Sequence, residues 1–121
     1  MIRVPGFLLK RLYVKGSLKN NGDGFEFKLK NSLGSGYAYG LPPLKIDGEE
    51  LPAERCYFTV EGKALGFPAV SKENPASLAM NREATITAHG KSLAAGPHKV
   101  TMSFVVAGLG QLSFDFTDAI A

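Results

Sequence analysis

The fold is decided by the stretch Phe25-Glu26-Phe27-Lys28-Leu29-Lys30, in which apolar and charged residues alternate strictly. Successive side chains of a β-strand point to opposite faces of the sheet, so the three apolar residues share one face and the charges share the other. The segments 100–104 and 112–116 alternate in the same way. This pattern predicts antiparallel strands that are buried on one face and solvated on the other.

Four other segments extend the prediction outward from this stretch. Residues 44–46, 56–60 and 84–88 are rich in β-branched, aromatic or alternating apolar residues, which favour strands. Residues 8–14 mix apolar and basic side chains, and we predict a strand there as well. The resulting core is expected to contain six inward-facing rings, those of Phe25, Phe27, Phe58, Phe104, Phe114 and Phe116.

Turn signals separate these segments. Asn20-Asn21-Gly22-Asp23-Gly24 predicts one hairpin, and Gly108-Leu109-Gly110 predicts another between the last two strands. No segment has a sustained helical period, and the best helical candidate, residues 75–83, is short. Seven or eight short strands at this spacing predict an all-β, antiparallel two-sheet β-sandwich of jelly-roll type, formed as a single domain by residues 1–121.

Composition excludes several classes of protein. Of 121 residues, 45% are hydrophobic and 21% are charged, which is typical of a globular chain and not of a disordered one. A single cysteine, Cys56, excludes an internal disulfide framework. No apolar stretch is long enough to span a bilayer, so we expect no membrane association. The N-terminus has no secretory apolar segment, and we expect a cytoplasmic protein.

The charge is unevenly distributed along the chain. Residues 1–30 carry seven basic and two acidic residues, a net charge of +5, whereas the remainder carries seven basic and nine acidic residues, a net charge of −2. A basic face suits nucleic acid or an acidic partner, and it is also typical of a solvated outer sheet face. Because Phe25 and Phe27 are assigned to the core, they cannot stack on bases, and we expect no nucleic-acid binding.

No residue pattern predicts catalysis or metal binding in this chain. His89 and His98 lack the spacing of a metal site, and Cys56 shares the inward face of its strand with Phe58 and Val60. We therefore predict no catalytic residue, no metal ligand and no cofactor in this chain.

Two segments are candidates for contact with a partner or a ligand. Residues 34–43 form a predicted long loop with two tyrosines among glycines and prolines, and residues 64–70 are apolar without alternation. The contact residues predicted from these segments are Tyr37, Tyr39, Leu41, Phe67 and Pro68. The alternative is that the loop crosses between the sheets and its two rings cover the edge of the core.

From residue 24 onward the chain resembles a known family. The stretches that carry the similarity are Gly24-Phe25-Glu26-Phe27-Lys28-Leu29, Tyr39-Gly40-Leu41, residues 44–52, residues 96–100 and residues 112–116. They are similar to the small (β) subunit of bacterial C-glycoside deglycosidases. This resemblance implies an accessory, non-catalytic subunit of a carbon–carbon lyase that acts on C-glycosides. Its partner would be a larger barrel-type catalytic subunit, which would hold a divalent metal, Mn or Mg.

Two other possibilities stay open at this point. The alternative function is a self-assembling homo-oligomeric β-sandwich with a structural or ligand-binding role. In addition, residues 4–18 are similar to a group of short microbial proteins, some of which carry the label hydroxymethylglutaryl-CoA reductase. The chain is much shorter than that enzyme and has none of its nucleotide-binding or active-site motifs, so we expect no reductase activity from it.

Overall fold

The computed structural model describes residues 6–32 and 36–120, and these residues form two antiparallel sheets. The first described residues form one short α-helix, α1 (Gly6–Leu9), which continues into a 3₁₀ turn at Lys10–Leu12. Eleven strands follow within the described residues. They are β1 Lys19–Asn21, β2 Gly24–Lys30, β3 Gly36–Gly40, β4 Lys45–Ile46, β5 Glu49–Glu50, β6 Cys56–Val60, β7 Lys63–Gly66, β8 Ala76–Leu78, β9 Glu83–Ala88, β10 Gly96–Val106 and β11 Gly110–Ile120.

The first sheet has five strands in the order β1-β2-β9-β6-β7. Its hairpin between β1 and β2 pairs Asn21 with Gly24, as the sequence predicts. Gly24 is buried against the carbonyl group of Ala88, and a β-carbon at this position would overlap that carbonyl. The close pairing of β2 with β9 therefore requires glycine at residue 24.

The second sheet is organised around the long strand β10. Along one edge β10 pairs with β11 over its whole length, from Gly96 opposite Ile120 to Val106 opposite Gly110. Its other edge is shared by two short strands, because β4 pairs at Val100 and β3 pairs near Val105. Strand β5 extends the sheet beyond β4, and β8 extends it beyond β3.

The two sheets pack face to face, which confirms the predicted all-β antiparallel sandwich. Phe27 of the first sheet meets Phe116 of the second edge-on, with ring centroids 5.1 Å apart. Five of the six predicted core rings are buried, and Phe104 packs against them from a partly exposed position. The inward face predicted for β2 is therefore correct.

The N-terminal segment closes over this core. The ring of Tyr13 stacks on Phe116 with centroids 3.6 Å apart and planes inclined by 12°. Its hydroxyl donates a hydrogen bond of 2.7 Å to Asp118 and accepts one of 3.1 Å from the Leu18 backbone N–H. These contacts join the N-terminal segment to β11, which is more than a hundred residues away in sequence.

Two sequence predictions about local structure are wrong. Residues 8–14 form helical turns instead of a strand, and only Tyr13 makes a β-bridge, to Leu29. Residues 75–83, which lack a sustained helical period, contain β8 and the start of β9. The strand count exceeds the predicted seven or eight, because several strands have only two to four residues and are too short to show an alternating pattern.

No helix among the described residues is both long and apolar enough to cross a membrane.

Candidate ligand-binding cavity

One end of the sandwich encloses an apolar cavity of about 440 Å³. Its walls are formed by α1 and the 3₁₀ turn, by the end of β2, and by parts of β3, β6, β8, β10 and β11. Protein interiors are normally packed with few voids larger than a water molecule. The space is far larger than such voids, and its volume is in the range of small-molecule sites, about 300–1,000 Å³.

The cavity has a buried inner end and an exposed mouth. Met102 and Leu29 line it and are almost completely buried, whereas Tyr37, also part of the lining, is 55% exposed. Leu8 and Leu109 have intermediate exposure. A molecule entering from solvent would therefore pass Tyr37 and advance toward Met102.

None of the described residues that line the cavity has a charged side chain. Its one amide, that of Asn31, is buried and donates a hydrogen bond of 2.8 Å to the backbone carbonyl of Leu78. Among the described residues, no buried side-chain nitrogen or oxygen lacks a hydrogen-bond partner. The cavity therefore favours an uncharged, apolar group, because a charge or an unpaired polar atom would lose its hydration there.

The N-terminal helical turns supply one wall of the cavity. Leu8, Leu9 and Leu12 all line it, and their spacing at i, i+1 and i+4 places them on one face of a helix. The prediction of a strand over residues 8–14 did not identify this apolar face, because the basic residues Lys10 and Arg11 interrupt the apolar run. The i, i+1, i+4 spacing of the leucines was the signal that could have revealed it.

The segment predicted as a functional loop is largely a strand. Residues 36–40 form β3, which pairs with β8 and with β10, and residues 34 and 35 lie outside the described residues. Tyr37 and Leu41 both line the cavity, at its exposed and buried parts respectively. Tyr39 lies elsewhere, with the ammonium group of Lys72 5.5 Å from its ring centroid.

The second predicted contact segment has a different role. Phe67 is 2% exposed and belongs to the hydrophobic core, so its ring is not available at the surface. Pro68, its neighbour in the same 3₁₀ turn, is exposed. The lack of alternation in residues 64–70 is explained by this turn, which follows β7 and directs Phe67 inward.

His98 joins two turns outside the cavity. Its Nδ1 lies 2.7 Å from a carboxylate oxygen of Asp47, and its Nε2 lies 2.7 Å from the backbone carbonyl oxygen of Ala94. Both partners are acceptors, so the geometry is fully satisfied only when both ring nitrogens carry a proton. The hydrogen bond to Asp47, followed by the one to Ala94, raises the pKa of His98.

Asp47 is held by the same arrangement. The backbone N–H of Lys99 donates to its second carboxylate oxygen at 2.9 Å, and this bond, followed by the one from His98, lowers the pKa of Asp47. Asp47 has a positive φ of 51° in the turn between β4 and β5. The Asp47 carboxylate therefore connects the turn between β4 and β5 to the start of β10, and its role is structural.

The other side chains that could be chemically reactive, Cys56 and His89, do not line the cavity. Cys56 is buried, and desolvation raises the pKa of its thiol, which opposes formation of a reactive thiolate. His89 is exposed and lies 3.2 Å from Asp23. Within residues 6–32 and 36–120, no three His, Cys, Asp or Glu side chains converge in a way that could hold a metal ion.

Comparison with known families adds a decisive observation. The family model described as "Hydroxymethylglutaryl-CoA reductase, N-terminal domain" matches residues 8–121, which is nearly the whole chain. The chain belongs to the hydroxymethylglutaryl-CoA reductase N-terminal domain family. A comparison with curated proteins gives no match.

Membership in this N-terminal domain family corrects the resemblance drawn from the sequence. The assignment to the small subunit of C-glycoside deglycosidases is wrong, because the matching family is a different one and covers almost every residue. The motifs that suggested it were an alternating strand, a Tyr-Gly-Leu segment and Gly-Pro or Asp-Gly turns. These are features that any antiparallel sandwich can use, since they follow from strand alternation and turn geometry.

Proposed function

We propose that this protein is a non-catalytic binding module that takes up an apolar small molecule between its two sheets. The observation that carries the proposal is the cavity of about 440 Å³, whose described lining residues carry no charge and which is open at Tyr37. A ligand there would replace water against leucine, methionine and phenylalanine side chains, and the hydrophobic effect would drive its binding. The ligand-binding sandwich that the sequence left as an alternative is thus the function best supported.

The lining also argues against chemistry inside the cavity. General acid–base or nucleophilic catalysis requires a titratable or nucleophilic group within reach of the bound molecule. Among the lining residues that the structure describes, the polar side-chain groups are the hydroxyl of Tyr37 at the exposed mouth and the amide of Asn31, which is already bonded. Membership in a family described as an N-terminal domain of a reductase is consistent with a binding role.

The proposal can be tested by closing the mouth of the cavity. Gly36 lines it, and a β-carbon at this position meets no atom within 4 Å. Gly36 shares the inward face of β3 with Ala38, since the two are separated by one residue. In the variant Gly36→Phe, the ring should occupy the mouth without strain and weaken binding by about tenfold or more, because it removes the contact area for the ligand.

Binding of Nile red, an uncharged dye that becomes fluorescent in apolar surroundings, is the measurement. Thr117→Phe is the matched control, because Thr117 is exposed on β11, alternates with the buried Phe116 and does not line the cavity. The control should bind the dye as the unmodified protein does. Equal binding by both variants, or no binding by the unmodified protein, would contradict the proposal.

We also propose two further properties from the sequence. A cytoplasmic location is suggested by the single thiol of Cys56, and cell fractionation would test it. Self-assembly into a homo-oligomer stays a prediction. Native mass spectrometry of the purified protein would test it, and a single species of 12.9 kDa would contradict it.

A further inference from the structure

We infer that the cavity is built for a flexible aliphatic chain that enters tail first, and not for a flat aromatic molecule. This inference rests on the proposed binding function and specifies the class of ligand. It follows from the chemistry of the walls, from the small number of aromatic rings among the described lining residues and from the difference between the two ends of the cavity.

The walls are dominated by leucine. Eight of the seventeen lining residues are leucines, and they come from α1, the 3₁₀ turn, both sheets and the final hairpin. Leucine side chains present rounded methyl groups that fit around a chain of methylenes, and they offer no planar face to an aromatic ring. The favourable energy would come from many small dispersion contacts and from the removal of methylene groups from water.

Aromatic rings are a minority of the lining. Three of the seventeen described lining residues are aromatic, Tyr37, Phe58 and Phe104, against eight leucines. A flat ligand is held best between parallel ring faces, so a lining with few rings and many leucines favours a chain.

The two ends of the cavity differ in a way that suits a molecule with one polar end. The inner end, at Met102 and Leu29, is buried and apolar, so it accepts the hydrocarbon terminus. The mouth carries Tyr37, which is exposed and contributes a hydroxyl to the described lining. A head group can stay in water beside Tyr37 while the chain is buried, which avoids the cost of desolvating a polar group.

The experiment is a calorimetric titration of the full protein with 1-alkanols of six to twelve carbons, together with 1-naphthol. 1-Decanol and 1-naphthol have the same number of carbons and one hydroxyl group each, the first as a flexible chain and the second as a flat ring system. Because 1-naphthol is less hydrophobic and its hydroxyl is phenolic, the two affinities are compared at a pH below its ionisation and relative to the partitioning of each compound from water into hydrocarbon. Affinity should increase by about fourfold for each methylene until the cavity is filled. 1-Decanol should bind more tightly than 1-naphthol, and Gly36→Phe should lose the increase with chain length.

The outcomes separate this inference from the function on which it rests. If 1-naphthol binds more tightly than 1-decanol, or if affinity does not change with chain length, the aliphatic ligand class is overturned and the binding function stands. If no alkanol, naphthol or Nile red binds, the binding function itself fails. Sedimentation with lipid vesicles tests whether the aliphatic chain of the ligand belongs to a membrane lipid or to a dissolved molecule. Protein that sediments with phosphatidylcholine vesicles but binds no free alkanol would contradict the inference that the ligand is a dissolved molecule.

Discussion

The hydroxyl group of Tyr13 is predicted to stabilise the fold by joining the N-terminal segment to the last strand. It donates to Asp118 at 2.7 Å and accepts from the backbone N–H of Leu18 at 3.1 Å. The variant Tyr13→Phe removes both bonds and keeps the ring that stacks on Phe116. The loss in stability therefore measures the hydroxyl and not the packing of the ring.

The magnitude follows from the partners of this hydroxyl. A hydrogen bond to a charged group contributes about 1.5–3 kcal/mol net when it is protected from water. Asp118 is partly exposed and also accepts from the backbone N–H of Gly16 at 2.8 Å, so water and this second donor compensate for part of the loss. We expect Tyr13→Phe to lower the free energy of unfolding by about 1–2 kcal/mol.

Urea denaturation at neutral pH is the assay, with an unchanged dependence on urea concentration as evidence that the unfolding mechanism is the same. Tyr37→Phe is the matched control, because it removes a hydroxyl from an exposed tyrosine and should change stability by less than about 0.5 kcal/mol. A loss in Tyr13→Phe no larger than that of the control would refute the reasoning.

The same variant has a second, independent readout. The pKa of Asp118 lies below its ordinary value, chiefly because of the hydrogen bond from Tyr13. Removing the hydroxyl should raise the pKa of Asp118 toward its ordinary value, and an NMR titration of its carboxyl group measures this directly. An unchanged pKa would mean that the backbone donors alone hold the carboxylate.

Two other predictions concern charge and packing. The raised pKa of His98 means that its hydrogen bonds to Asp47 and Ala94 stabilise the fold fully below pH of about 6.5, and that this contribution is lost as pH rises through the higher pKa of the folded state. The urea midpoint of His98→Gln should therefore not change with pH above about 6.5, whereas the midpoint of the unmodified protein should fall. Parallel pH dependences of the two midpoints would contradict the stabilising role of protonated His98. Phe114→Ala should cost about 3–5 kcal/mol in urea denaturation, because a buried ring leaves a cavity; a loss below about 1 kcal/mol would mean that the surrounding core does not depend on this ring.

The sequence alone determined the sandwich because its signals are local. Strict alternation in β2, β10 and β11 defines which side chains face inward, and the turn signals at residues 20–24 and 108–110 define two hairpins. Both signals act within a few residues, since side-chain direction and turn geometry depend on neighbouring backbone angles.

Only the tertiary structure decided how short and irregular segments are used. Strand β3 is recognisable because β8 and β10 pair with it, and not because its sequence of glycines and tyrosines favours a strand. The burial of Phe67 likewise depends on where its 3₁₀ turn lies against the core. In both cases the stabilising contacts come from residues distant in sequence, which a local pattern cannot reveal.

The cavity is also a feature that only the tertiary structure decides. Its lining joins α1, both sheets and the hairpin between β10 and β11, and each of these elements contributes only a few residues. The sequence identified Tyr37 and Leu41 as candidates, because they lie in an unusual segment. It could not indicate that Leu8 and Met102 complete the same space. A cavity is the volume that packed elements leave unfilled, so it is defined only when every surrounding element is in place.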